Sequence, residues 1–181
     1  NLDFLENFKF KSGITLTRTN KRNLAENSLG SILFNALNMA PNIPIRDENG
    51  DYSLANGLGG EVINPLAQIA NTYDRTKVMK LNGFGGLSYD FLEHFTASAN
   101  IQFNYSEVKN KKFFPIDNYG IGKVFNTERS EVQDFLDYFR DYTFDAFVKY
   151  ENTFNEEHKL NVLLGTSVFK TTGEYTGKTG F

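Results

Sequence analysis

The chain of 181 residues contains no cysteine and no tryptophan, and only two histidines. Without cysteine there can be no disulfide and no thiolate metal site. Two histidines leave little from which to assemble an acid–base or metal centre. An excess of one charge is also missing, since 19 Lys and Arg stand against 22 Asp and Glu. With a net charge of -3 there is no polycation to meet a phosphate backbone, and no nucleic-acid partner is expected. Long apolar runs are absent too: the mean hydropathy is -0.43, and nothing approaches the roughly 18 apolar residues a membrane-crossing helix needs. That absence leaves spanning β-strands open, because they expose apolar side chains only at every second position.

What the chain does have is alternation. Leu81, Gly83, Gly85, Leu87, Tyr89 and Phe91 alternate with Asn82, Phe84, Gly86, Ser88 and Asp90, and residues two apart share one face of a strand. After a turn around Leu92, Glu93 and His94 the pattern resumes as Phe95, Ala97, Ala99, Ile101, Phe103 and Tyr105 against Thr96, Ser98, Asn100, Gln102 and Asn104. A second unit sets Tyr142, Phe144, Ala146, Val148 and Tyr150 against Asp141, Thr143, Asp145, Phe147, Lys149 and Glu151. It turns at Asn155 to His158 and returns with Leu160, Val162, Leu164, Thr166 and Val168. An earlier strand, 8–18, carries Phe8, Phe10, Ile14 and Leu16 opposite Lys9, Lys11, Thr15 and Thr17.

Five strands are therefore expected, joined alternately by short turns and by two long excursions, 20–75 and 106–140. Short turns on one side and long loops on the other are the arrangement of outer-membrane barrels, turns in the periplasm and loops outside the cell. Five strands cannot close such a barrel, whose smallest bacterial forms have about eight. The chain starts at Asn1 without an initiator methionine and is expected to stop inside a Gly/Thr-rich loop at Phe181. It is expected to be an internal piece of one larger barrel domain. The first excursion holds a helix candidate with Leu29, Ile32, Leu33, Ala36, Leu37 and Ala40 on one stripe before Pro41. That stripe either packs the loop on a barrel rim or meets a partner protein. In the second, Ser130 and Gln133 have capping-box spacing and Val132, Phe135, Leu136 and Phe139 helical spacing, although the stretch can equally extend the next strand.

Aromatic residues make up 15% of the chain, all of them Phe or Tyr, and their placement sharpens the membrane reading. Tyr89, Phe91, Phe95, Tyr150 and Phe154 adjoin the short turns, Phe103, Tyr105, Tyr142 and Phe144 lie toward the loops, and Ala97, Ala99, Ala146 and Val148 lie between. Rings at both ends with small aliphatics between them suit two bilayer interfaces. Residues 95–105, tilted by roughly 45°, rise about 25 Å, the height of a barrel's apolar band.

Four stretches, APNIPIRDENGDY from Ala40, NPLAQIANTYDRTKV from Asn64, LNGFGGLSYDFLEHFTASANIQFNY from Leu81 and YENTFNEEHKLNVLLGTS from Tyr150, resemble the SusC/RagA family of TonB-dependent outer-membrane transporters of Bacteroidetes. They nearly span the chain. The resemblance implies an all-β fold, a plugged antiparallel barrel of 22 strands, of which residues 1–181 would form a middle portion without the plug. It implies import of an oligosaccharide, or otherwise a peptide, together with a SusD-like surface lipoprotein and the inner-membrane TonB, ExbB and ExbD complex. Two alternatives remain beside it: a siderophore or cobalamin receptor, and a soluble β-rich adhesin or binding module.

No catalytic residue, cofactor or metal is assigned. His94 and His158 sit at the short turns, with no nucleophile paired to them in the pattern. Gly57, Gly59 and Gly60 lack the strand–glycine–helix setting of a nucleotide site. Asp47, Asn49 and Asp51 imitate the start of a calcium loop, but Tyr52 and Leu58 stand where its glycine and terminal glutamate belong. Ligand binding is the more credible chemistry. Lys9, Lys11, Asn100, Gln102, Asn104, Asp145 and Lys149 are expected on an inward, wet face. Among loop residues, Tyr52, Phe113, Phe114, Asp117, Tyr119 and Phe125 combine rings with polar groups, the mixture used for sugar or peptide recognition.

The alternation makes a directional prediction for the whole protein. Ala146→Arg places a charge in lipid at a cost of about 2 to 4 kcal/mol and should sharply lower the amount of heat-modifiable barrel, whereas Asp145→Asn, on a wet face, should leave assembly nearly intact. Equal tolerance at the two positions would show the faces to be assigned wrongly.

Overall fold

A computed structural model describes residues 2–5, 7–24 and 28–181. It contains one sheet of six strands in the sequential order β1 to β6: β1 Leu2–Leu5, β2 Phe8–Arg22, β3 Tyr73–Phe91, β4 Phe95–Phe114, β5 Glu131–Phe154 and β6 His158–Gly180. Two short helices, α1 Ile32–Asn38 and α2 Pro65–Asn71, lie between β2 and β3. The sheet is antiparallel and open, with five long strands as expected and the four-residue β1 paired to the start of β2. Contacts divide the chain into two compact units. One comprises 1–19, 78–108 and 137–175, the other 20–77, 109–136 and 176–181.

In the first unit the alternation holds across strands. On the polar face Lys9 Nζ lies 3.0 Å from Asp90 Oδ2, and Thr96 donates to Asp90 at 2.7 Å. Farther along, Ser167 donates to Asp145 and Thr171 to Asp141, each at 2.5 Å. On the apolar face a continuous row of rings crosses four strands beside the short turns: Phe8 to Tyr89 at 4.9 Å between centroids, Tyr89 to Phe91 at 6.0 Å, Phe91 to Phe95 at 5.5 Å and Phe95 to Tyr150 at 4.8 Å. The two short turns are built alike. Each begins with two successive left-handed residues, Leu92 and Glu93 in one and Asn155 and Glu156 in the other.

Neither face of the sheet is covered by other residues of the chain. The apolar residues buried among those described are Ala55, Val62, Ile63 and Ala67, all in the excursion between β2 and β3. The strands expose Ile14, Leu16, Ile101, Val148 and Leu164. No described helix is long and apolar enough to cross a membrane.

Three expectations need correction. The capping-box helix at Ser130 does not form: residues 131–140 belong to β5. Gln133 donates to Glu131 at 2.6 Å along the strand instead of reaching back to a helix start. Cross-strand ring contacts, Tyr138 with Tyr105 at 6.2 Å and Phe139 with Tyr175 at 5.6 Å, outweigh a local helical spacing. The Gly/Thr-rich stretch after Lys170 is strand through Gly180. The strands also run beyond their expected ends, β2 to Arg22, β3 from Tyr73 and β4 to Phe114, so the irregular part of each excursion is shorter than expected.

One close approach gives a test. A Cβ on Gly83 would lie 2.3 Å from Cε1 of Phe103, whose ring covers this glycine from the neighbouring strand. Gly83→Ala should overpack the pair by about 1 to 3 kcal/mol and lower the yield of folded barrel. Adding Phe103→Leu should restore it, and a double mutant no better than Gly83→Ala would show that the ring is not what excludes the methyl group.

Candidate functional site

The second unit is organised by side-chain amides. Ser31 caps α1, its Oγ accepting from Phe34 N at 3.3 Å. The helix then buries Asn35 completely and leaves Leu29, Leu33 and Leu37 at 65%, 61% and 76% exposure. No residue of this chain covers these three leucines of the apolar stripe. The buried side of the helix is polar because the surrounding loop brings backbone groups that need partners. Asn35 donates to Gly30 O at 3.1 Å and to Gln68 Oε1 at 2.8 Å, and accepts from Ile63 N at 3.1 Å. Gln68 returns a bond to Gly30 O at 2.8 Å, tying α1 to α2.

Helix α2 is an element the sequence reading missed, though Asn64 followed by Pro65 is a legible helix start. Asn64 Oδ1 accepts from Leu66 N at 3.0 Å, while its amide donates to Ile45 O at 2.9 Å and Ser53 O at 3.2 Å. One side chain thus caps the helix and fastens the preceding loop. At the other end Arg22 donates to the carbonyls of Ile69 and Thr72, a favourable place for a cation. The second excursion docks through Lys123, which is 6% exposed and donates to Leu58 O at 3.2 Å and Gly59 O at 2.9 Å. Burial lowers its pKa, and the charge of Glu61 partly opposes that shift.

Where strands β2, β3 and β4 end, Asp74 acts as a hub. Its carboxylate accepts from Asn23 and Asn110, both at 2.7 Å, and lies 3.6 Å from Lys112 Nζ. Beside it opens a cavity of about 550 Å³. Phe113, Phe114, Asp117, Tyr119 and Phe125 line it, so five of the six residues singled out from the sequence share one concavity. Tyr52 does not join them; the Arg46 guanidinium sits over its ring at 4.3 Å. Asn23, Asn71, Tyr73, Asp74 and Lys112 line the cavity as well and were overlooked as site residues. Their signal was faint, since Asn71 to Asp74 read only as the approach to a strand.

Asp117 is the chemical centre. Its two oxygens accept from Asn71 Nδ2 at 2.8 Å and Tyr119 Oη at 3.1 Å. Its backbone pairs with Thr127, which closes the loop that carries Tyr119. Burial raises the Asp117 pKa, with the Tyr119 and Asn71 hydrogen bonds opposing. Burial, reinforced by the Asp117 charge, pushes Tyr119 up to about 12. Phe125 lies over Gly30, where a Cβ would fall 2.1 Å from its ring and φ is +74°; only glycine satisfies both constraints. No set of three or more His, Cys, Asp or Glu among the described residues could hold a metal ion. Asp47 spends its side chain accepting from Asn49 N and Asp51 N, closing its own turn.

The chain is 26% identical over 177 residues to a TonB-dependent receptor of Formosa agariphila, an alignment that covers 97% of this chain and 16% of that protein. Among solved structures it is similar to the RagAB peptide importer in its closed-closed state, with a TM-score of 0.76 and 16% identity over 97% of this chain. For the open-open state the TM-score is 0.77 at 17% identity. Over its length, the chain has the fold of a segment of these solved structures. It spans about a sixth of that curated relative and a fifth of each solved chain. No family model matches.

The Tyr119 environment predicts a pH response. Its folded pKa exceeds the ordinary value of 10, so the cluster's stabilisation is complete below pH 10 and is lost as pH rises through about 12. In the full-length folded protein a phenol titrating near the top of that window should disappear in Tyr119→Phe. A difference titration showing only an ordinary tyrosine lost would contradict the buried cluster.

Proposed function

We propose that this chain forms part of the wall of an outer-membrane transporter that imports a nutrient, an oligosaccharide or a peptide, with energy from the TonB, ExbB and ExbD complex. A SusD-like surface lipoprotein covers the same transporter. The observation that carries this reading is the sheet itself, with two faces of opposite chemistry, apolar side chains exposed along strands of 15 to 24 residues, and a row of rings at the short-turn end. Lipid satisfies the apolar face and a wet lumen the polar one. The free edge of β6, 23 residues long, is closed in lipid by a further strand. The fold shared with the RagAB peptide importer supports the same reading. A soluble adhesin is disfavoured because such a module would cover its apolar face with its own residues.

In this reading the two excursions face outside the cell, and their cavity, lined by Phe113, Phe114, Asp117, Tyr119 and Phe125, contacts the nutrient. Tyr52, stacked with Arg46, serves the loop's architecture. Cysteines placed at Asn49 and Asn118 should react with an impermeant maleimide on intact cells, because loops and turns segregate by length. Labelling only after lysis would reverse the topology.

A further inference from the structure

The cavity contains three charged side chains, and they do not balance. Asp74 and Lys112 are paired at 3.6 Å, whereas Asp117 is held only by the neutral donors Asn71 and Tyr119. Among the described residues no cation pairs with it. The same cavity is lined by the rings of Tyr73, Phe113, Phe114 and Tyr119, with the Tyr73 and Phe113 centroids 5.7 Å apart.

Several of the other polar groups of the wall are already engaged. Gln68 donates to Gly30 O and accepts from Asn35, and Asn126 donates to Gly120 O at 2.8 Å and accepts from Tyr119 N at 2.8 Å. Asn71 gives its amide to Asp117, and Asn23 gives its own to Asp74 and Thr76. A neutral polyol needs several free donors and acceptors in matched positions, and these engaged amides do not supply them. A lone carboxylate walled by aromatic faces offers two things a cation uses, a counter-ion and ring quadrupoles.

We propose that the cavity takes an organic cation, the ammonium or guanidinium group of a peptide-like substrate, with Asp117 as its counter-ion and the rings of Tyr73, Phe113, Phe114 and Tyr119 as its walls. This rests on the transporter reading and narrows its nutrient to peptides carrying positive charge. The burial that raises the Asp117 pKa is the same deficit that a bound cation removes.

The test uses the full-length transporter purified in detergent and short peptides blocked at both ends, identical except for a central Lys, Arg, Gln or Glu. A charge-assisted contact predicts that the Lys and Arg peptides bind about tenfold tighter than the Gln peptide, with Glu weakest. Added salt should reduce that preference. Asp117→Asn should erase it, bringing the Lys, Arg and Gln peptides to the same affinity. Equal binding of Lys and Gln peptides by the unsubstituted protein overturns the proposal, as does a preference that survives Asp117→Asn. The salt series needs no substitution, so it decides the matter even if the variant fails to assemble. Uptake of a neutral oligosaccharide in preference to all four peptides overturns the cation site alone. An assembled barrel that supports uptake of neither class overturns the transporter reading on which it rests.

Discussion

Every backbone N–H and C=O that enters hydrocarbon must be paired within the protein, because lipid offers no partner. In the membrane reading proposed above, much else in this chain follows from that constraint. It favours strands paired in sequential order, β1 through β6, so that each new strand satisfies the one before it. It makes short turns sufficient on one side, where two left-handed residues reverse the chain at Leu92–Glu93 and again at Asn155–Glu156. Because the pairing consumes the backbone, side chains alone define the two faces. Each face then suits its own solvent, rings and aliphatics on one, Asp90, Thr96, Asp141 and Asp145 on the other.

The excursions solve a different problem with different means. An irregular segment in water must hold its shape without a large apolar core, and here the buried apolar residues are few. Asn35, Asn64, Gln68 and Lys123 take over, each making two or more bonds that include one to a segment distant in sequence. Such a polar interior is exacting, since any missing partner leaves an unsatisfied buried group costing about 1 to 3 kcal/mol. The reward is a fixed concavity. Asp117 and Tyr119 sit on a loop held by the Asp117–Thr127 bridge and face rings carried at the ends of β3 and β4.

The strands were legible because period-two alternation is a property of single residues, readable without knowing any partner. Their lengths were not. The continuation of β5 through Val132 to Phe139 depends on Tyr105 and Tyr175, far away in sequence, and a helical spacing read locally misled. Helix α1 was found by its apolar stripe, yet it buries Asn35, because the helix's role in the loop is to satisfy backbone rather than to fill a core. Five of the six proposed binding residues converge on one cavity because rings and polar groups cluster between Phe113 and Phe125 in the sequence. Tyr52 was chosen by the same composition and went elsewhere, since Arg46 on the adjoining turn claims its ring. Asp74, Asn71 and Lys112 escaped notice because their roles arise only where three strands end together.

The central claim is that one face of this sheet meets lipid and the other does not, and β4 tests it most directly. In the whole protein, single fluorophores attached at successive positions from Phe95 to Tyr105 can be quenched by brominated lipid in reconstituted membranes. The account predicts quenching of period two, strong at Ala97, Ala99, Ile101 and Phe103 and weak at Ser98, Asn100, Gln102 and Asn104. Uniform quenching, or none at any position, would contradict it.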